Sequence, residues 1–119
     1  MTRIKKKIIP SSLNIQKKIL DEIKLRLKNI YFPKAIYIFG SYVWGTPGID
    51  SDLDIAVIIK ESSAKPYKRV YQGIEALWDI KQTVDLHVYT ETDFFLRAAH
   101  PSSLQHKIEN RGIKIYDAA

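Results

Sequence analysis

Three aspartates are the residues of this sequence whose type and spacing best suit chemistry. Asp52 and Asp54 flank Leu53 at the start of an apolar run, and Asp85 begins a later alternating segment. Residues i and i+2 of a strand point to the same side, roughly 7 Å apart, so Asp52 and Asp54 can face common cations. Asp85 can join them from a neighbouring strand. Three carboxylates repel one another unless a divalent ion neutralises them, so the pattern predicts a site for Mg²⁺ or Mn²⁺.

Gly40-Ser41 suits the other end of a phosphorylated substrate. A glycine lets the backbone approach a phosphate closely, and N–H groups with a serine hydroxyl donate hydrogen bonds to its oxygens, so we expect these two residues to bind nucleotide. In two-metal phosphoryl-type transfer the ions lie roughly 4 Å apart. Asp52 and Asp54 would serve both ions, and Asp85 mainly the ion at the nucleophile.

The elements that position these residues follow from hydrophobic spacing. A helix capped by Ser11 or Ser12 and ending before Pro33 is indicated by Ile15, Ile19, Ile23, Leu27 and Ile30. Apolar or alternating runs predict strands at Ala35–Phe39, Leu53–Ile59, Val84–Tyr89 and Ile113–Tyr116. A helical turn at 42–44, a second main helix between Tyr67 and Ile80, and a short helix near Ser102 to Asn110 ended by Gly112 complete the prediction.

Size and composition limit the setting. The 119 residues suit one domain, 45% are hydrophobic and 27% charged, and there is no cysteine, so a metal must be held by oxygen or imidazole ligands. No apolar run reaches membrane-spanning length, which predicts a cytoplasmic protein that does not contact a membrane. The net charge of +6 suits nucleic acid, nucleotide phosphates or an acidic protein equally, and solvated helix faces account for much of it.

The motifs Phe39-Gly40-Ser41, Gly45 and Ser51-Asp52-Leu53-Asp54-Ile55 resemble the signature of the DNA polymerase beta-like nucleotidyltransferase superfamily, and the size resembles its minimal nucleotidyltransferase branch. The resemblance covers about residues 35–89. It implies an α+β nucleotidyltransferase fold in a single domain over 1–119, a small mixed sheet backed by helices, with ATP as substrate and two Mg²⁺ ions as cofactor. Where relatives often carry arginine after the Gly-Ser, this chain has Tyr42 and Trp44. A cation at the phosphates would then come from Arg69 or a lysine.

The reaction expected from this resemblance is transfer of AMP from ATP to an acceptor hydroxyl. Stand-alone minimal nucleotidyltransferases resemble the antitoxins of HEPN toxin modules, which implies a HEPN-type ribonuclease as partner and its tyrosine as acceptor. Nucleic acid is not expected as the direct substrate, because a domain this small has little room for a separate binding module. The alternatives are a small-molecule adenylyltransferase acting on an antibiotic, an antitoxin that acts by binding alone, and an RNA-modifying nucleotidyltransferase, which the positive charge would fit.

Several residues receive simpler interpretations. His87 shares the strand face of Asp85 but is interpreted as an exposed strand histidine. His100 and His106 lack metal-ligand spacing. Four aromatic side chains are interpreted as packing residues rather than as base-stacking platforms: Trp44, Trp78, Phe94 and Phe95.

Overall fold

A four-stranded mixed sheet forms the centre of the computed structural model, which describes residues 15–48 and 50–119. The strands lie in the order β3-β2-β1-β4, with β2 parallel to β3 and β1 antiparallel to both β2 and β4. Five helices accompany the sheet in the described ranges, which confirms the predicted α+β fold. The elements in chain order are α1 (Lys17–Tyr31), β1 (Ala35–Phe39), α2 (Ser41–Trp44), β2 (Leu53–Ile59), α3 (Pro66–Ala76), β3 (Val84–Thr90), α4 (Glu91–Ala98), α5 (Leu104–Arg111) and β4 (Ile113–Asp117).

Most element predictions are confirmed, with differences at helix ends. The bounds of β1 and β2 agree with the apolar runs that predicted them. Helix α1 starts at Lys17 after Gln16, whereas the expected caps Ser11 and Ser12 lie outside the described residues. Helix α3 ends at Ala76, four residues before the predicted Ile80.

Helix α4 has no counterpart in the sequence-based prediction. The Thr90 hydroxyl caps it by accepting a hydrogen bond from the Asp93 N–H, and its buried side chains are Phe94 and Ala98, one turn apart. A helix of two turns with one buried residue per turn has too few apolar positions for helical spacing to be recognised in the sequence.

The two faces of the sheet carry separate cores. On the first face, α1 and α3 cover β2 residues such as Ile55 and Val57. On the second face, α4 and α5 cover Ala56 and Ile58 through Phe94 and Ile108. Because side chains alternate along a strand, Asp54 belongs to the second face, on the same side as Ala56.

The four aromatic residues interpreted as packing residues differ in how far they are buried. Phe94 is buried and Trp44 packs against the second core, as predicted. Phe95 is 45% exposed, but its ring meets the Phe94 ring edge-on at 5.2 Å between centroids, whereas Trp78 is 81% exposed, so the packing interpretation is wrong for Trp78. No helix in the described part of the chain is long and apolar enough to cross a membrane.

Candidate active site

Parallel pairing of β2 with β3 brings two of the three candidate carboxylates together. Asp54 lies directly across from Asp85 in the register of the two strands, and both point to the second face of the sheet. Asp54 is partly buried, while the side chain of Asp85 is 58% exposed. This juxtaposition is the one that the spacing predicted, and it lies near the amino-terminal ends of both strands.

The electrostatics of Asp54 reflect this crowding. Loss of hydration on burial raises the pKa of Asp54 to about 6, helped by the negative charge of Asp85 and by a side-chain hydrogen bond with it. Asp52 adds a smaller increase, and His87 opposes the rise. A carboxyl group with a pKa near neutrality is one for which a bound cation would replace the proton.

Asp52 lies outside β2, in the exposed loop directly before it. No three His, Asp or Glu side chains among residues 15–48 and 50–119 are already arranged to hold a metal ion. These residues nevertheless fit a metal ion. The hard carboxylate oxygens of Asp54 and Asp85 lie together, and a proton relieves the repulsion between them. Asp52 is close enough to add to that repulsion.

Gly40 packs directly against the Asp54 carboxylate of this pair. Its backbone has φ +80°, in the region that favours glycine, and a Cβ built on it would overlap an Oδ of Asp54. The register explains the contact, since Phe39 at the end of β1 lies opposite Asp54. Gly40 therefore makes room for the carboxylate, a role that the sequence interpretation did not include beside phosphate binding.

Ser41 opens the single turn α2 next to Gly40. The Gly40 carbonyl accepts hydrogen bonds from the N–H groups of Val43 and Trp44, which fixes the turn. Ser41 is partly buried, and its hydroxyl makes no hydrogen bond to any described residue. The hydroxyl is therefore free within that part of the chain to meet a substrate oxygen beside Asp54.

His87 was interpreted as an exposed strand histidine, and the structure corrects this. Its side chain is 29% exposed, and its Nε2 lies 3.5 Å from an Oδ of Asp85. The other ring nitrogen, Nδ1, lies 3.1 Å from the Tyr89 hydroxyl, and the ring meets Phe39 edge-on at 5.3 Å between centroids. His87 is thus held on three sides and can orient Asp85. Its period-two relation to Asp85 was the available signal.

A cation lies against Trp44, one of the two positions at which the resemblance leads us to expect arginine. The ammonium of Lys107 in α5 lies 4.2 Å from the centroid of the Trp44 ring. The indole N–H of Trp44 donates to the Arg111 carbonyl at 2.9 Å. Tyr42, the other replaced position, reaches the Ser51 carbonyl at 3.4 Å.

An open cleft of about 770 Å³ begins at Asp52 and runs toward the end of α3. Ile74 and Trp78 form part of its wall. These two residues continue an exposed apolar stripe along the first part of α3 that includes Tyr67 and Tyr71. Spacings of four and three residues place Tyr67, Tyr71 and Ile74 on one side of the helix, and Trp78 follows two residues beyond its last residue, Ala76. We call Tyr67, Tyr71, Ile74 and Trp78 the α3 stripe.

Comparison with known proteins places this arrangement in context. The family model described as polymerase beta, nucleotidyltransferase matches residues 21–119. A crystal structure from Sulfolobus solfataricus, provisionally described as a nucleotidyltransferase, shares 20% identity at a TM-score of 0.60, over 85% of this chain and 79% of that chain. A toxin-antitoxin crystal structure with AMP-PNP shares 21% identity at a TM-score of 0.50, over 82% and 73%. Both likenesses concern the fold. No curated protein matches the sequence.

Proposed function

Because this chain belongs to the polymerase beta nucleotidyltransferase family, we propose that it transfers AMP from ATP to a protein hydroxyl and acts as the antitoxin of a HEPN-type toxin. Members of this family typically use divalent metals and a nucleoside triphosphate. The observation that carries the proposal is the Asp54–Asp85 pair, whose Asp54 carboxylate packs against Gly40. It joins the predicted metal ligands to the predicted phosphate-binding turn in one place.

At the nucleotide end, the residues of α2 bind and orient ATP. The Ser41 hydroxyl donates a hydrogen bond to a triphosphate oxygen, and Gly40 holds the backbone close to Asp54. Asp52 and Asp54 are the residues that would hold two Mg²⁺ ions, with Asp85 completing the ligand set. When bound, the metal neutralises charge on the triphosphate and on the leaving pyrophosphate.

At the acceptor end, Asp85 directs the attacking hydroxyl. The acceptor oxygen forms a bond to the α-phosphorus of ATP, the bond to the bridging oxygen breaks, and pyrophosphate leaves. Tyrosine has an ordinary pKa of about 10, so its proton must be taken up as the bond forms. Asp85 is the exposed carboxylate of the pair and accepts that proton, while His87 fixes its orientation at 3.5 Å.

A protein acceptor is favoured by the exposed apolar surface that borders Asp52. The α3 stripe leads into the cleft that Asp52 borders, so a partner segment lying on the stripe would reach Asp52 at the edge of the sheet. From there its acceptor would pass around that edge to Asp54 and Asp85 on the second face. Exposed aromatic side chains of this kind are enriched at protein interfaces. The toxin-antitoxin structure with the same fold supports a toxin as partner. We also propose that the reaction takes place in the cytoplasm.

The test is coexpression with a HEPN-type protein, taken first from an adjacent gene if the genome encodes one, followed by intact-mass measurement of that partner. We expect the partner to gain one or more AMP units on a tyrosine with the wild-type chain and none with Asp85→Asn. A partner tyrosine replaced by phenylalanine serves as the control for the acceptor. An unmodified partner beside the wild-type chain would contradict the proposal.

The second candidate is an antitoxin that acts by occlusion alone. It is favoured by Tyr42 and Trp44 in the positions where relatives often carry arginine, and by the exposed α3 stripe. In that case the partner would be inactive in a stable complex yet carry no AMP. The same mass measurement therefore separates the two candidates.

A further inference from the structure

We propose that Lys107 of α5 binds the triphosphate of ATP next to Gly40-Ser41 and supplies there a positive charge that α2 itself lacks. This inference rests on the proposed function only in taking ATP as the ligand. It concerns nucleotide binding, which can be measured apart from AMP transfer.

The geometry of α2 places Lys107 on the same side as Ser41. Ser41 and Trp44 are three residues apart in one helical turn, so their side chains share a face of that turn. The Lys107 ammonium lies 4.2 Å from the centroid of the Trp44 ring. The ammonium thus stands beside the turn that presents the Ser41 hydroxyl.

Trp44 is held in place and can serve as a fixed support for this ammonium. Its indole N–H donates to the Arg111 carbonyl at 2.9 Å, and its ring packs on Phe39 with centroids 5.9 Å apart. A cation over an indole ring gains attraction but is not neutralised. Lys107 forms no ion pair with any residue that the structure describes, so its charge stays available for an anion.

Other candidate cations are placed less well. Arg69 lies on α3, whose neighbouring Val70 packs in the core of the first face, opposite to the face that carries Asp54. Lys114 pairs with Asp117 at 3.1 Å. Lys28 of α1 lies over the Tyr116 ring, which packs against the first core.

The experiment measures equilibrium binding of α,β-methylene-ATP and of adenosine in Mg²⁺ by calorimetry. Loss of one charge-assisted phosphate contact predicts that Lys107→Met weakens binding of the triphosphate on the order of tenfold and leaves adenosine unchanged. Lys107→Arg should keep most of the affinity. The matched control is Lys28→Met, which removes the same charge and the same type of ring contact on the opposite face and should leave both ligands unaffected.

A compensating pair makes the test stricter. If Lys107 replaces an arginine on α2, then Trp44→Arg combined with Lys107→Met should restore much of the triphosphate affinity, with thermal unfolding used to check that each variant folds. Equal triphosphate binding by wild type and Lys107→Met would overturn the inference, as would an equal loss of adenosine binding. A wild type that binds ATP without transferring AMP would overturn the proposed function but would not affect the inference about Lys107. A wild type that binds no triphosphate would overturn both.

Discussion

Replacing Asp54 by asparagine should stabilise the metal-free protein at neutral pH. Burial, followed by the negative charge of Asp85, raises the pKa of Asp54 from its ordinary 3.8 to about 6. Between these values the folded protein keeps a proton that the unfolded chain has lost, so stability falls as pH rises from about 4 to about 6. Two pH units correspond to about 3 kcal/mol, and because the carboxyl group is only partly buried, solvent screening reduces this to about 1 kcal/mol.

Asparagine has nearly the same shape, so the packing of Asp54 against Gly40 is kept while the charge is removed. The assay is thermal unfolding in EDTA at pH 4 and pH 7.5. At pH 7.5 we expect the variant to unfold about 4 °C higher than the wild type, with a smaller difference at pH 4.

Asp79→Asn serves as the control for that comparison. The hydrogen bond from Arg26 lowers the pKa of Asp79. Removing the Asp79 carboxylate should therefore destabilise the protein more at neutral than at acid pH. The reasoning about the carboxylate pair is refuted if Asp54→Asn is no more stable than the wild type at pH 7.5, or if its advantage grows toward pH 4.

Three further changes test the site. Gly40→Ala puts a methyl group onto the Asp54 carboxylate at positive φ, so it should cost about 1–3 kcal/mol in a denaturant titration and remove AMP transfer, and full activity would contradict the packing role. Ser41→Ala should weaken ATP binding about tenfold in calorimetry, and an unchanged affinity would contradict its hydrogen bond to phosphate. His87→Ala should lower the turnover rate in transfer assays while ATP affinity stays constant, because it acts on Asp85 and not on the nucleotide. A parallel loss of ATP affinity would point to a structural role instead.

Metal addition provides the counterpart of the pH experiment. Mg²⁺ should raise the unfolding temperature of the wild type, and ATP should raise it further only with metal present. Asp54→Asn should lose most of this response, because the carboxylate proposed to bind the cation is gone. A metal response of equal size in both proteins would remove Asp54 from the proposed ligand set.

The sheet and the acidic pair could be predicted from local sequence for a physical reason. Runs such as Ala35–Phe39 and Leu53–Ile59 are bounded by Pro33, Gly40 and Lys60. The alternation of side chains along a strand then determines which face of the sheet carries Asp54 and Asp85. Parallel pairing of two such strands then brings the two carboxylates into register. That Asp52, Asp54 and Asp85 bind metal stays a prediction.

Contacts between distant segments could not be predicted in the same way. The fit of Gly40 against Asp54 depends on the β1–β2 register, and the contact of Lys107 with Trp44 depends on how α5 packs on the sheet. Neither contact produces a regular spacing of residue types in the sequence. Trp78 was misplaced for a related reason: its spacing fits a buried helix face, but α3 ends before it and the side chain turns outward.

The most direct test of nucleotidyl transfer is a single-turnover reaction between this chain, a purified HEPN-type acceptor and α-³²P-labelled ATP in Mg²⁺. Wild type and Asp85→Asn are compared at equal ATP occupancy, so that chemistry is separated from binding. We predict that label moves from ATP to the acceptor with the wild type, with pyrophosphate released in equal amount, and that Asp85→Asn binds ATP but transfers none. Equal labelling by both proteins, or no labelling by a wild type that has bound ATP and acceptor, would contradict the account.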